Sequence, residues 1–443
     1  MKSKSFALLV LSFSTLFMQA QDGMGERLKT QTKDKVMNKT EDVVNSTIDK
    51  SIQKAEEGIE AIFTKKKKKK ADIETASVPA NSPKNTSANT SDAPAYDPAV
   101  TQTDDKGNTD YSAYKNFDFV AGEKIIFFED FADNSTKRWG AYDPEQLSII
   151  THENKKWMEV KSGNVYPIGL KVLPKNFTLE FDVYTPDVNT GTLDVRFLDK
   201  SQAESLADPW LDNCSAVHLS PITQMPKTGL GGYIKKINNE EVQPQNEFKF
   251  YSWQPELGNH YARVSMVRTD NKLSLWVNKE KVMEDVDFFV QNREHLLAFH
   301  LQNYFVDENR MYLTNIRLAT GNANPKNDLT TQNKFMTQNI YFDVNSDVIR
   351  PNSYAILKQI AESIKATQGV IQIVGHTDSD GKDTDNLILS QKRSESVKRA
   401  LVNEFGIDAA RLTTEGKGES LPLNKNLTPA DKAQNRRVEF IKL

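Results

Sequence analysis

Apolar residues change their spacing several times along the chain, and each spacing predicts a different kind of structure. Residues 6–18 form an almost unbroken apolar run, preceded by Lys2 and Lys4 and followed by Gln19 and Ala20. That run is too short for a membrane span and has the basic start of an export signal, so residues 1–20 read as a secretory signal peptide. From 21 to 63 the pattern is helical: Leu28, Val36, Val43, Ile48, Ile52, Ile59 and Ile62 return with polar residues between them. One long amphipathic helix is expected, packed on another part of the protein or on its own copy, with a membrane-surface helix as the alternative. Residues 64–110 hold six consecutive lysines, Lys65 to Lys70, and then mostly Ser, Thr, Asn, Pro, Ala and Asp. Such a stretch is solvated and lacks the apolar residues for a core, which predicts a flexible linker.

The spacing then shortens to strand alternation in the runs 125–128, 179–184, 193–198, 262–267, 273–277, 297–301 and 311–318, punctuated by turn residues such as Pro174, Pro186 and Asn278. A β-sandwich of the jelly-roll type over 111–320 is expected. Its hairpin at 262–282 loosely resembles those of concanavalin or laminin-G-like sandwiches. After a polar linker at 321–338, strand and helix alternate. A strand is read at 339–344, a helix at 353–366, a strand at 370–374, a helix at 386–404 and a final strand at 438–443. This predicts a compact α/β domain over 339–443 with helices on one side of a sheet, and a multidomain chain overall.

Composition narrows the function more than the fold. A chain of 443 residues is longer than one core usually supports. Its net charge of -3 and pI near 6.2 give no chain-wide basic field, so nucleic acid is not expected as a partner. Cys214, the only cysteine, offers neither an internal disulfide nor a lipid-acceptor site near the signal. The strands are shorter than the roughly 9 to 11 residues that a membrane barrel needs. Export therefore points to the cell envelope.

The candidate chemistry lies in the last domain. Gly375, His376, Thr377 and Asp378 form a GHTD loop, followed by Asn386, Leu389, Ser390 and Arg393 as N-x-x-L-S-x-x-R; Ile340 and Phe342 lie upstream, and Asn435, Arg436, Arg437 and Val438 downstream. On a helix, Asn386, Leu389, Ser390, Arg393, Val397 and Leu401 share one face. Arg393 then sits on an inward stripe, where a guanidinium needs a carboxylate partner. These spaced motifs resemble the peptidoglycan-binding domain of the OmpA-like family. The resemblance implies that Asp378 takes the ammonium and Arg393 the carboxylate of the diaminopimelate in the peptidoglycan stem peptide. It also implies that Phe342, Asp343, Thr377, Asn386 and Leu389 line or brace the pocket. The bland alternative is that Asp378 and Arg393 pair only with each other.

No enzyme, cofactor or metal is expected. Asp378, Asp380, Asp383 and Asp385 invite a calcium reading, but Lys382 and Leu389 stand where an EF-hand loop needs ligands. Glu180-Phe181-Asp182-Val183-Tyr184-Thr185 is similar to the E-x-D-x-x-E strand of sandwich glycosidases, yet Thr185 replaces the second glutamate that the mechanism needs. Simple alternation explains that strand instead, with Leu179, Phe181 and Val183 inward and Glu180, Asp182 and Tyr184 outward. His376 is read as a loop brace, and for Arg436 and Arg437 a fold role and a site role weigh equally. The sequence thus predicts a non-enzymatic tether of the outer membrane or an envelope complex to the wall, with another envelope protein or a glycan as partner of the sandwich. A wall-anchored carbohydrate-binding protein or glycoside-active enzyme is the alternative.

Overall fold

The computed structural model describes residues 109–443 apart from 145–146, 161–162, 188–190, 209–213, 222–230, 239–240, 303–309 and 323–324. The signal peptide, the amphipathic helix and nearly all of the Lys-rich linker lie outside the described residues. The first fifteen strands in chain order are β1 (Lys124–Glu129), β2 (Trp139–Ala141), β3 (Ile149–His152), β4 (Lys155–Val160), β5 (Gly163–Pro167), β6 (Asn176–Tyr184), β7 (Thr192–Asp199) and β8 (Ser215–Ser220), then β9 (Gly231–Asn238), β10 (Glu241–Phe248), β11 (Tyr261–Thr269), β12 (Lys272–Val277), β13 (Glu280–Asp287), β14 (His295–Gln302) and β15 (Met311–Thr320). Thirteen of them build two antiparallel sheets, with β2 and β5 pairing separately. One runs β13-β12-β11-β6-β15-β4-β3, with β1 also pairing β15; the other runs β10-β9-β8-β7-β14.

The two sheets share one apolar core. Leu179, Phe181 and Val183 of β6 meet Leu193, Val195 and Phe197 of β7 in a single buried cluster. Period-two alternation puts these residues on one face, and burying that face is what holds two sheets together.

The other face of β6 is not solvated as expected. Glu180 and Asp182 are only 1% and 2% exposed, because the C-terminal domain covers them. Arg263 lies across the strand pair from Asp182 and binds both carboxylates, at 2.5 Å to Asp182 and 2.9 Å to Glu180. Tyr341, from the C-terminal domain, donates its hydroxyl to Glu180 at 2.7 Å.

The C-terminal domain consists of α1 (Pro325–Thr331), β16 (Lys334–Thr337), α2 (Tyr354–Ala366), β17 (Ile371–His376), α3 (Asp383–Asn403), β18 (Leu412–Gly418), α4 (Pro429–Asn435) and β19 (Val438–Lys442). Its sheet runs β16-β19-β17-β18, with β17 and β18 parallel and the other pairs antiparallel. Ile356, Leu357, Ile360 and Ile364 of α2 and Val397 and Leu401 of α3 pack with Ile371, Ile373 and Phe440 of the sheet.

Two expectations are corrected here. The stretch read as a linker at 321–338 contains α1 and the edge strand β16. The strand read at 339–344 is instead irregular, with only an isolated bridge between Phe342 and Ile349. The cause is a turn toward the sandwich: the Asn339 side-chain amide donates to the Ala121 carbonyl at 2.7 Å and to Glu123 at 2.9 Å. The chain before the sandwich joins the same seam. Tyr111 is buried in the C-terminal core, and Phe119 packs on Trp276 of β12 with ring centroids 5.4 Å apart.

Candidate functional site

The GHTD loop leaves the C-terminal end of β17 and is fixed there by backbone contacts. A Cβ on Gly375 would sit 2.3 Å from the Ser390 carbonyl oxygen, so only glycine lets α3 lie this close to the strand. The Thr377 N–H donates to the Gly418 carbonyl at 3.0 Å, and the Gly418 N–H donates to the Ser390 hydroxyl at 2.8 Å. Asn386, in the first turn of α3, holds the loop from below. Its amide nitrogen reaches the carbonyls of Asp378 and Asp380 at 3.3 and 3.0 Å and the Glu419 carboxylate at 2.5 Å. One turn beyond Ser390, the same helix face then carries Arg393 to the loop.

A cavity of about 480 Å³ opens at this point, and Phe342, Asp343, Thr377, Asp378, Asn386, Leu389 and Arg393 all line it. Asp378 and Arg393 make no ion pair with each other among the described residues. Asp378 instead accepts from Arg436 at 2.6 Å and from the Asp380 N–H at 3.1 Å. Arg393 donates its Nε to the Ser346 carbonyl at 2.9 Å and lies over the Phe342 ring, 4.9 Å from the centroid. No carboxylate among the described residues comes within ion-pair reach of it. Burial, with the charge of Arg436 beside it, pushes the Arg393 guanidinium down to about 10, against the opposing pull of Asp378 and Asp347. It is still charged at neutral pH, and its fork is free to take an incoming carboxylate.

The remaining candidates fall into supporting places. Asp343 accepts from Arg350 at 2.9 Å. His376 is 3% exposed and 3.6 Å from Glu439. Burial alone would raise the Glu439 carboxyl, but the nearby His376, Lys334 and Arg437 hold it well below the usual range. Arg437 is buried and pairs with Glu439 at 2.9 Å, a contact internal to the fold. The sequence left both Arg436 and Arg437 undecided; both border the cavity, and Arg436 is the one that pairs with Asp378. Besides Asp378 it faces Asp130 of the sandwich at 3.7 Å and the Phe128 ring at 5.3 Å. The paired arginines of Asn435-Arg436-Arg437 were the available signal, but not which of them turns outward.

The two rival chemistries find other uses for their residues. Asp380 accepts from Lys432 at 2.6 Å, and no group of carboxylates among the described residues is arranged for a metal ion. Glu180 and Asp182 are bound up in the seam between the domains, as described above, and Thr185 hydrogen-bonds to the His260 carbonyl at 2.9 Å.

An α/β domain with a charged cavity at the end of its parallel strand pair, seated on a β-sandwich, is the class that fold and site define. Residues 341–436 match the OmpA family, and the C-terminal domain is an OmpA-family domain. It is 42% identical over 101 residues to outer membrane porin F of Pseudomonas fluorescens, covering 23% of this chain and 31% of the porin. It is 39% identical over 106 residues to the probable lipoprotein YiaD of Escherichia coli, covering 24% of this chain and 48% of that protein. The chain therefore spans half or less of the length of these relatives. The crystal structure of the peptidoglycan-associated lipoprotein from Burkholderia pseudomallei is 32% identical and covers 27% of this chain and 100% of that one, with a TM-score of 0.23.

Proposed function

We propose that this chain is an exported, non-enzymatic envelope protein that holds peptidoglycan non-covalently and so tethers the outer membrane or an envelope complex to the wall. The ligand is the free end of diaminopimelate in the stem peptide, which carries an ammonium and a carboxylate on one carbon. The observation that carries this reading is Arg393: a sheltered guanidinium without a carboxylate partner among the described residues, in the same cavity as Asp378. An unpaired sheltered cation is costly, and a bound carboxylate relieves that cost with two parallel hydrogen bonds. Asp378 would share its carboxylate between Arg436 and the incoming ammonium. The sequence resemblance to wall-binding OmpA-like domains supports the same ligand.

Sedimentation of the purified protein with diaminopimelate-type peptidoglycan tests it. Arg393→Ala and Asp378→Ala should each weaken pelleting by roughly 30-fold or more, the usual cost of removing one partner of a sheltered charge pair. Walls with lysine in place of diaminopimelate should pellet the protein poorly. A folded Arg393→Ala protein that pellets like wild type would end the proposal.

A further inference from the structure

Both oxygens of the Asp378 carboxylate are already engaged. Oδ2 accepts from the Arg436 guanidinium at 2.6 Å, and Oδ1 accepts from the Asp380 N–H at 3.1 Å. An incoming ammonium therefore competes with a guanidinium for this carboxylate. Loosening the pair would leave Arg436 short of an anion, half-buried and close enough to Arg393 for the two charges to repel. A sheltered cation without a partner is costly, so the exchange needs a second carboxylate to receive Arg436.

The sandwich supplies one. β1 ends at Glu129, and successive side chains there turn to opposite sides. Glu129 is fully buried and holds Arg138 at 2.6 Å, whereas Phe128 and Asp130 line the cavity. Asp130 Oδ2 lies 3.7 Å from Arg436 Nη2, and the Phe128 ring centroid lies 5.3 Å from the same guanidinium. Arg436 is the only cation among the described residues within ion-pair reach of Asp130. It stands between two carboxylates, one from each domain, and a movement of about 1 Å would bring Asp130 to the distance of a charge-assisted hydrogen bond. Neither side of this contact is loose. Gln434 of α4, two residues before Arg436, donates to the Ile125 carbonyl of β1 at 3.3 Å, and the Asp130 carboxylate accepts from the Ala132 N–H at 3.2 Å.

We propose that Asp130 is a positioning residue for wall binding: it takes up Arg436 as the ammonium of diaminopimelate takes its share of Asp378. This rests on the peptidoglycan reading above and deepens it. After the exchange every charge has a partner, with the ammonium on Asp378, the ligand carboxylate on Arg393 and the Arg436 guanidinium on Asp130. The sandwich then sets part of the affinity for a zwitterionic terminus without touching the ligand. Filling the cavity also strengthens one ion pair between the two domains.

Calorimetry with meso-diaminopimelate on the full chain tests this. Asp130→Asn keeps an acceptor for the Ala132 N–H and should bind about tenfold more weakly than wild type, the scale of one charge-assisted hydrogen bond. Asp130→Glu should recover most of that loss. Arg436→Gln should bind more tightly than wild type, because nothing then competes for Asp378, and adding Asp130→Asn to it should change the affinity less than about twofold. A loss from Asp130→Asn that persists in the Arg436→Gln background would mean that Asp130 acts on the ligand's charge or on the fold, and the exchange is overturned. Wild-type affinity in Asp130→Asn, or loss of binding in Arg436→Gln, overturns it equally. These results leave the diaminopimelate pocket standing so long as Arg393→Ala weakens binding, whereas no binding by wild type overturns both readings.

Discussion

At the scale of single residues, the site depends on how closely a helix can approach a strand. Gly375 and Ser390 are 15 positions apart, yet a single methyl on Gly375 would overlap the Ser390 carbonyl oxygen, a backbone atom that cannot swing aside. Gly375→Ala should therefore cost about 1 to 3 kcal/mol, the usual penalty of overpacking, read as a lower urea midpoint. An unchanged midpoint would show that α3 and β17 separate freely. The sequence marked Asp378, Asn386 and Arg393 because the motif puts Asp378 on the loop and Asn386 and Arg393 two helical turns apart on one face of the helix that follows. It left Arg436 open, since its partner lies 58 positions upstream and no local pattern reports which of two adjacent arginines reaches it.

At the scale of elements, strands whose residue types alternate were legible, and those whose large apolar residues stand side by side were not. β6 alternates cleanly and was read, but in β4 the residues Trp157, Met158, Glu159 and Val160 are all buried, because Trp157 packs in a cluster on one side and Met158 and Val160 in the main core on the other. Period two disappears when both faces pack on apolar clusters. The short helix α4 escaped notice because its seven residues, PADKAQN, include no large apolar side chain, and its start is set by capping instead. Thr428 accepts from the Asp431 N–H and Asp431 accepts from the Thr428 N–H, both at 3.1 Å. Since Arg436 follows directly on this helix, the cap helps to aim it at Asp378. Thr428→Ala should cost about 1 kcal/mol and speed amide exchange throughout α4. Exchange rates unaltered in α4 would mean that Pro429 and packing alone hold it.

At the scale of the whole molecule, what matters is that the sandwich and the C-terminal domain meet through buried charge. Polar positions on the outer face of β6 normally signal solvent, and here they signal a second domain, which is why the seam could not be read from alternation. Its pH response follows from Glu123. That carboxyl accepts from the Thr337 hydroxyl at 2.8 Å and the Asn339 amide at 2.9 Å, both from the C-terminal domain. Burial pushes it up to about 7, only partly offset by those hydrogen bonds and by Arg317. A carboxyl that holds its proton more tightly when folded contributes stability that is full below its ordinary value near 4.5 and is lost as pH rises through about 7. Glu123→Gln keeps the acceptor oxygen and removes the titration. Compared with wild type, the variant should therefore gain stability steadily between pH 4.5 and 7.5, in urea unfolding or in amide exchange across the seam. A difference between the two proteins that stays constant over that range would mean that Glu123 does not carry the pH dependence of the domain contact.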